Sequence, residues 1–172
     1  MTEFIIGTVG FPIARDRMKD SVDIVEITDA RHIPPSAKAA RHQRAGAWED
    51  LKYAVQISRF FVESPSSDVS LKGSLGAYGD FQITEETTGL WKRQVEFAAA
   101  LDAMALVLIT PPSVTPSALN VDRMSAFFQK MDPGPLRIVW EPHGPWDHAR
   151  ASAFAAAHGL ILAFDPLRDE PE

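Results

Sequence analysis

Six short apolar runs, rich in β-branched residues, recur along the chain, separated by stretches whose apolar residues fall at helical spacing. "FIIGTV" (4–9) ends at Gly10, "VDIVEIT" covers 22–28 and "LKYAVQI" 51–57; "ALVLIT" (105–110) stops at Pro111–Pro112, followed by "LRIVWE" (136–141) and "LILAFD" (160–165). Each reads as a buried strand bounded by turn chemistry. Between the second and third runs, "PPSAKAARHQRAGAW" places Ser36 where it can cap a helix rich in alanine and basic residues. Thr88 is the cap expected for a helix carrying Leu90, Phe97, Leu101 and Met104. Val121, Met124, Phe127, Phe128 and Met131 mark a third, amphipathic helix. Trp146, Ala149, Ala153, Phe154 and Ala157 mark a fourth, closed by Gly159. Residues 58–87 form a long loop, with turn chemistry in "SPSSD" and "GSLGAYGD"; its length alone points to function or disorder.

Strands that are apolar throughout, alternating with capped helices, imply a parallel sheet covered by helices. A doubly wound open sheet and a (β/α)8 barrel both satisfy that alternation, because local pattern does not encode which strands pair. No fixed-period repeat beyond the βα unit occurs, so solenoids drop out.

Composition narrows the class. The 172 residues, 45% apolar and 23% charged, suit one ordinary globular domain with a full core. The longest apolar stretches, such as Ala103–Ile109, are far short of the ~20 residues of a membrane span. "MTEFIIGTVGF" has an acid before its apolar run and lacks the basic start of a secretory signal, which makes the cytoplasm the expected location. The absence of cysteine removes disulfides, thiol catalysis and cysteine-ligated zinc. A net charge of −6 argues against a general nucleic-acid binder.

"IIGTVGF", "VDIVEIT", "LKYAVQIS", "ALVLITPPS", "RIVWEPHGPW" and "LILAFDP" occur in the order seen in the DUF72 (YecE-like) family, which the chain resembles over essentially its whole length. The resemblance implies a TIM-barrel fold and no settled activity. By motif position it carries over Gly7, Thr8, Gly10, Glu26, Pro111, Pro112, Ser113, Glu141, Trp146 and Asp165. Three positions depart from the family pattern. Val55–Gln56 stands where a valine–lysine pair is usual, Ile109–Thr110 where glutamine precedes the two prolines, and Arg31–His32 where aromatic residues follow strand two. The family barrel has two further βα units, whereas this chain stops at "DPLRDEPE". The expectation is therefore a TIM-barrel-like α/β domain over 1–172 with about six βα units, either a fragment or a reduced barrel whose open edges are covered by its own loop, a partner or a second copy.

Barrel active sites lie at the C-terminal ends of the strands. That rule selects Glu26, Glu141 and Asp165 as candidate catalytic carboxylates, with Thr8, Arg31, Gln56, Thr110, His143 and Trp146 as candidate substrate contacts. Converging carboxylates can exchange protons or hold a hard divalent cation, so a metal stays open without a specific motif. The bland alternatives are a capping role for Glu26 and Asp165, and an Asp-Pro turn at Asp165–Pro166. His143, two residues after Glu141, can shuttle protons or ligate a metal, or simply sit in an exposed turn between Pro142 and Gly144. No HExxH pair and no GxGxxG fingerprint occur. His158, just before Gly159, is expected to favour a helix C-terminus by its charge. Lys38, Arg41 and Arg44 recur at three-residue spacing as a solvated helix face, while Arg31, just past strand two, can meet a phosphate or carboxylate. The leading expectation is a hydrolase or isomerase acting on a polar or phosphorylated small molecule, or on a nucleic-acid end. The rival is a non-catalytic binding or interaction protein with a degenerate barrel site.

Overall fold

A computed structural model describes residues 4–67 and 69–164. Six strands form one parallel sheet in the order of the chain: β1 (Gly7–Val9), β2 (Ile24–Ile27), β3 (Lys52–Gln56), β4 (Ala103–Thr110), β5 (Arg137–Pro142) and β6 (Ile161–Leu162). This order separates the two folds that local pattern left open. A doubly wound sheet reverses its strand order at a switch point and so places helices on both faces. An unreversed order with right-handed crossovers places every helix on one face, as in a barrel.

The alternation of side chains across the sheet agrees. Val25 and Ile27, Tyr53 and Val55, Leu106 and Leu108, and Ile138 and Trp140 join the core cluster with Ala40, Leu90, Phe97, Met124, Phe127 and Phe154 from the helices. Their in-register neighbours, Glu26, Ala54, Gln56, Val107, Val139 and Glu141, stay out of that cluster and line the opposite face. Because side chains alternate with period two, each strand sends one set of residues to the helices and the other to what is a barrel's interior.

The helices are α1 (Arg15–Met18), α2 (Ala37–Ala45), α3 (Glu85–Leu101), α4 (Ala118–Lys130) and α5 (His148–Ala157). Ser36 caps α2 as expected, its side chain accepting from the Ala39 N–H. α3 starts earlier than expected. Thr84, not Thr88, is its cap, and Thr84 and Thr87 exchange side-chain-to-backbone bonds in a capping box. A threonine at the third helical position replaces the usual glutamate or glutamine, which hides the signature. The Thr88 hydroxyl instead donates back to the Thr84 carbonyl.

The stretch after β3 is long but ordered onto the core. Phe60, Phe61, Tyr78 and Phe81 are buried in it. Phe61 meets Trp91 and Phe127 with ring centroids 5.6 and 5.4 Å apart, and Phe81 meets Phe127 at 5.5 Å, so this loop fills the space between α3 and α4. His158 caps the end of α5, packs its ring 4.4 Å from that of Phe154 and hydrogen-bonds Ser125 Oγ. Burial lowers its pKa, so packing and that bond, rather than a charge at the helix end, account for its place.

Candidate functional site

β2, β3 and β5 carry their polar residues out to the C-terminal edge of the sheet on the face away from the helices. Glu26, near the end of β2, accepts a hydrogen bond from Gln56 Nε2 at the end of β3. Glu141, near the end of β5, is 2.8 Å from His143 Nε2 through its Oε1. The partners of the two acids, Gln56 and His143, line one cavity, which places both carboxylates next to it. Burial is the main cause of a raised Glu26 pKa; the Gln56 hydrogen bond opposes the shift and Glu141 adds to it. Glu26 thus keeps its proton toward higher pH, and the more exposed Glu141–His143 pair lies beside the same cavity. Paired groups whose environments differ in this way suit acid–base chemistry.

That cavity, of about 220 Å³, opens beside this pair, between the loops after β2, β3, β4 and β5. Arg31, Gln56, Arg59, Glu63 and His143 contribute its polar lining, with Val107 and Pro111 among the apolar walls. Arg31 lies in a 3-10 turn (Asp29–Arg31) directly after β2, and Arg59 in another (Arg59–Phe61) after β3. A second cavity of similar size lies on the other side of Glu141 and His143, against Trp146, His148 and Phe164.

The segment "EPHGPW" is fixed by contacts to the end of β4 and the loop after it. The His143 N–H donates to the Thr110 carbonyl at 3.0 Å, and Trp146 Nε1 to the Val114 carbonyl at 2.7 Å. Gly144 has φ +101°, and a Cβ there would sit 2.8 Å from Pro112 Cα, so the loop closes this tightly only with glycine. These bonds aim His143 at Glu141.

Of the residues proposed from sequence, Gln56, His143 and Arg31 line one mouth, and Glu26 and Glu141 stand behind it, bonded to Gln56 and His143. Trp146 lines the second cavity while its indole N–H is engaged by Val114. Thr110 is fully buried and accepts from Trp140 Nε1 at 3.1 Å, and Thr8 pairs in register with Val25, on the helix-facing side. Neither reaches the mouth. Asp165 lies outside the described residues. Among the described residues, no group of three or more His, Cys, Asp or Glu side chains gathers to hold a metal ion, and no helix is long and apolar enough to cross a membrane. Arg59 is a lining cation that sequence reasoning missed. Its only signal was a cation three residues past the end of β3.

The raised Glu26 pKa has a sign that can be measured. Between the ordinary value of 4.5 and the higher folded value, the folded protein holds more protons than the unfolded chain, so stability falls as pH rises through that window and stays lowered above it. Glu26→Gln keeps an acceptor for Gln56 and removes the titration. Its thermal midpoint at pH 7 is expected to exceed that of the wild type, with the gap closing toward pH 4.5; an equal or lower midpoint at pH 7 would contradict the burial penalty.

No family model matches the chain, and no curated protein matches it. Two crystal structures of a DUF72 family protein from Enterococcus faecalis do share its architecture, with TM-scores of 0.64 and 0.65 at 13% sequence identity. They match 92% and 97% of this chain, which in turn covers 59% and 66% of theirs, so it spans less than two thirds of their length. Over nearly its whole described length, then, this chain has the fold of those DUF72 structures.

Proposed function

We propose that this is a DUF72-type protein acting as an acid–base enzyme, a hydrolase or isomerase, on a small polar or phosphorylated molecule held over the ends of β2, β3, β4 and β5. The observation that supports this most is the pairing of a half-buried, proton-retaining Glu26 with Glu141–His143 at the end of the sheet where barrels carry their chemistry. Glu26 is the proton donor and the Glu141–His143 pair the acceptor, with Arg31 at the rim for the substrate's negative charge. The two carboxylates also supply oxygen ligands suited to a divalent cation, so the assay is run with and without Mg²⁺.

The test is a panel of phosphorylated sugars and polyols incubated with the protein in D2O and followed by ¹H and ³¹P NMR. Phosphate release, isomerisation or deuterium incorporation is expected for at least one compound, slowed at least ~100-fold by Glu26→Gln. A panel with no turnover, or a variant at full rate, would refute the enzyme reading. The interaction-protein alternative is favoured by one observation: apolar side chains lie exposed at both edges of the sheet, Phe4, Ile6 and Val9 beside and on β1, and Ile161 and Phe164 on and beside β6. A mass above the monomer in light scattering, together with a silent panel, would support it.

A further inference from the structure

Among the described residues, two buried polar atoms of the first cavity's lining residues, Gln56 Oε1 and Arg59 Nε, find no hydrogen-bond partner. Gln56 is only 5% exposed, and its other amide atom is already committed to Glu26. An unsatisfied buried polar group costs free energy, which a ligand can recover by supplying the missing partner. The two orphans ask for opposite things. Arg59 Nε offers a donor, and Gln56 Oε1 an acceptor.

The charge around them selects the ligand further. Arg31 and Arg59 both line the cavity; the only carboxylate in the lining is Glu63, which meets Arg59 Nη1 at a long 3.5 Å. The Arg59 guanidinium also rests 5.2 Å from the centroid of the Phe60 ring, so its position is set by packing rather than by that ion pair. An anion can displace a weak, half-exposed Glu63 contact, since such pairs contribute little. The cavity's size, about 220 Å³, lies below the ~300–1,000 Å³ typical of drug-sized ligands. It suits a phosphate with a few hydroxylated carbons.

We propose that this cavity is the anion subsite of the site described above, with Arg59 and Arg31 holding the phosphate of a small polyol or sugar phosphate, and Gln56 Oε1 accepting from one of its hydroxyl groups. The proposal rests on the acid–base reading for the neighbouring carboxylates but makes a separate claim, that Arg59 is a ligand-binding residue.

Isothermal titration calorimetry with glycerol 3-phosphate, inorganic phosphate and glycerol tests it on the whole chain. Glycerol 3-phosphate is expected to bind, inorganic phosphate more weakly, and glycerol not measurably. Arg59→Met should weaken glycerol 3-phosphate at least about tenfold, the loss expected for a charge-assisted hydrogen bond, with partial rescue in Arg59→Lys. Arg93→Met, on the exposed face of α3, should bind as the wild type does. Thermal unfolding of each variant separates lost binding from lost fold. Unchanged affinity in a folded Arg59→Met, or equal losses in Arg93→Met, would overturn the subsite. Glu26→Gln distinguishes the two claims: if it binds glycerol 3-phosphate normally while the NMR panel shows no turnover with the wild type, the subsite stands and the catalytic reading fails.

Discussion

Replacing Trp140 with alanine is expected to lower the unfolding free energy by about 3–5 kcal/mol in denaturant titrations. That is a large part of the ~5–15 kcal/mol by which a typical domain is stable. Trp140 is fully buried on the helix-facing side of β5. Its ring meets Trp146 edge-on, with centroids 4.8 Å apart, and Phe154 at 5.2 Å. Removing it leaves a cavity bounded by α5 and the loop that carries His143, and strands the Thr110 hydroxyl that accepts its indole N–H. Trp140→Phe, which retains most of the ring and loses the N–H donor, is expected to cost markedly less. If both variants lost under about 1 kcal/mol, the aromatic cluster would not be the support of the β5 loop described here. Because Trp146 sits between this cluster and the Val114 carbonyl, the same loss loosens the segment that aims His143 at Glu141.

Which parts of this arrangement were legible in the sequence follows from how local their causes are. The six strands and the Ser36 cap depend on neighbouring residues, and each is found within a few positions of where its pattern places it. The start of α3 was misplaced because Thr84 and Thr88 compete as caps, and only the Thr84–Thr87 exchange decides between them. α1 has four residues and no periodicity to detect. The choice between a barrel-like and a doubly wound sheet depends on strand order, a non-local property that residue pattern alone leaves open; only the family resemblance pointed to the barrel. The site divides the same way. Glu26 and Glu141 stand at strand ends and could be chosen by rule, whereas Thr110 meets the same rule but points to the helices, where Trp140 uses it. Arg59 lies in a loop whose path onto the core is set by Phe60 and Phe61 packing against distant helices, so its arrival at the mouth could not be read from spacing.

The second large effect is expected at Gln94, which touches no ligand. This side chain is fully buried in α3; its Oε1 accepts from the Ser58 N–H at 3.1 Å and its Nε2 donates to the Gln56 carbonyl at 3.0 Å. It therefore closes the backbone just where β3 ends and the Arg59 turn begins. Ser58 extends the tie, its hydroxyl donating to the His32 carbonyl in the loop after β2. Gln94→Leu has nearly the same size but leaves one N–H and one carbonyl buried without partners, at ~1–3 kcal/mol each, for a total of ~2–6 kcal/mol. The loss should appear in denaturant titrations and be accompanied by weaker glycerol 3-phosphate binding, because Gln56 and Arg59 are held on the two sides of this bridge. Gln94→Glu gives a control with a definite sign. Its carboxyl can reproduce both bonds only when protonated, and burial favours that form. The variant should be strongly destabilised at pH 7 and approach the wild type as pH falls toward 5. A Gln94→Glu variant whose deficit did not shrink on acidification would show that hydrogen bonding at this position is not what fixes the end of β3.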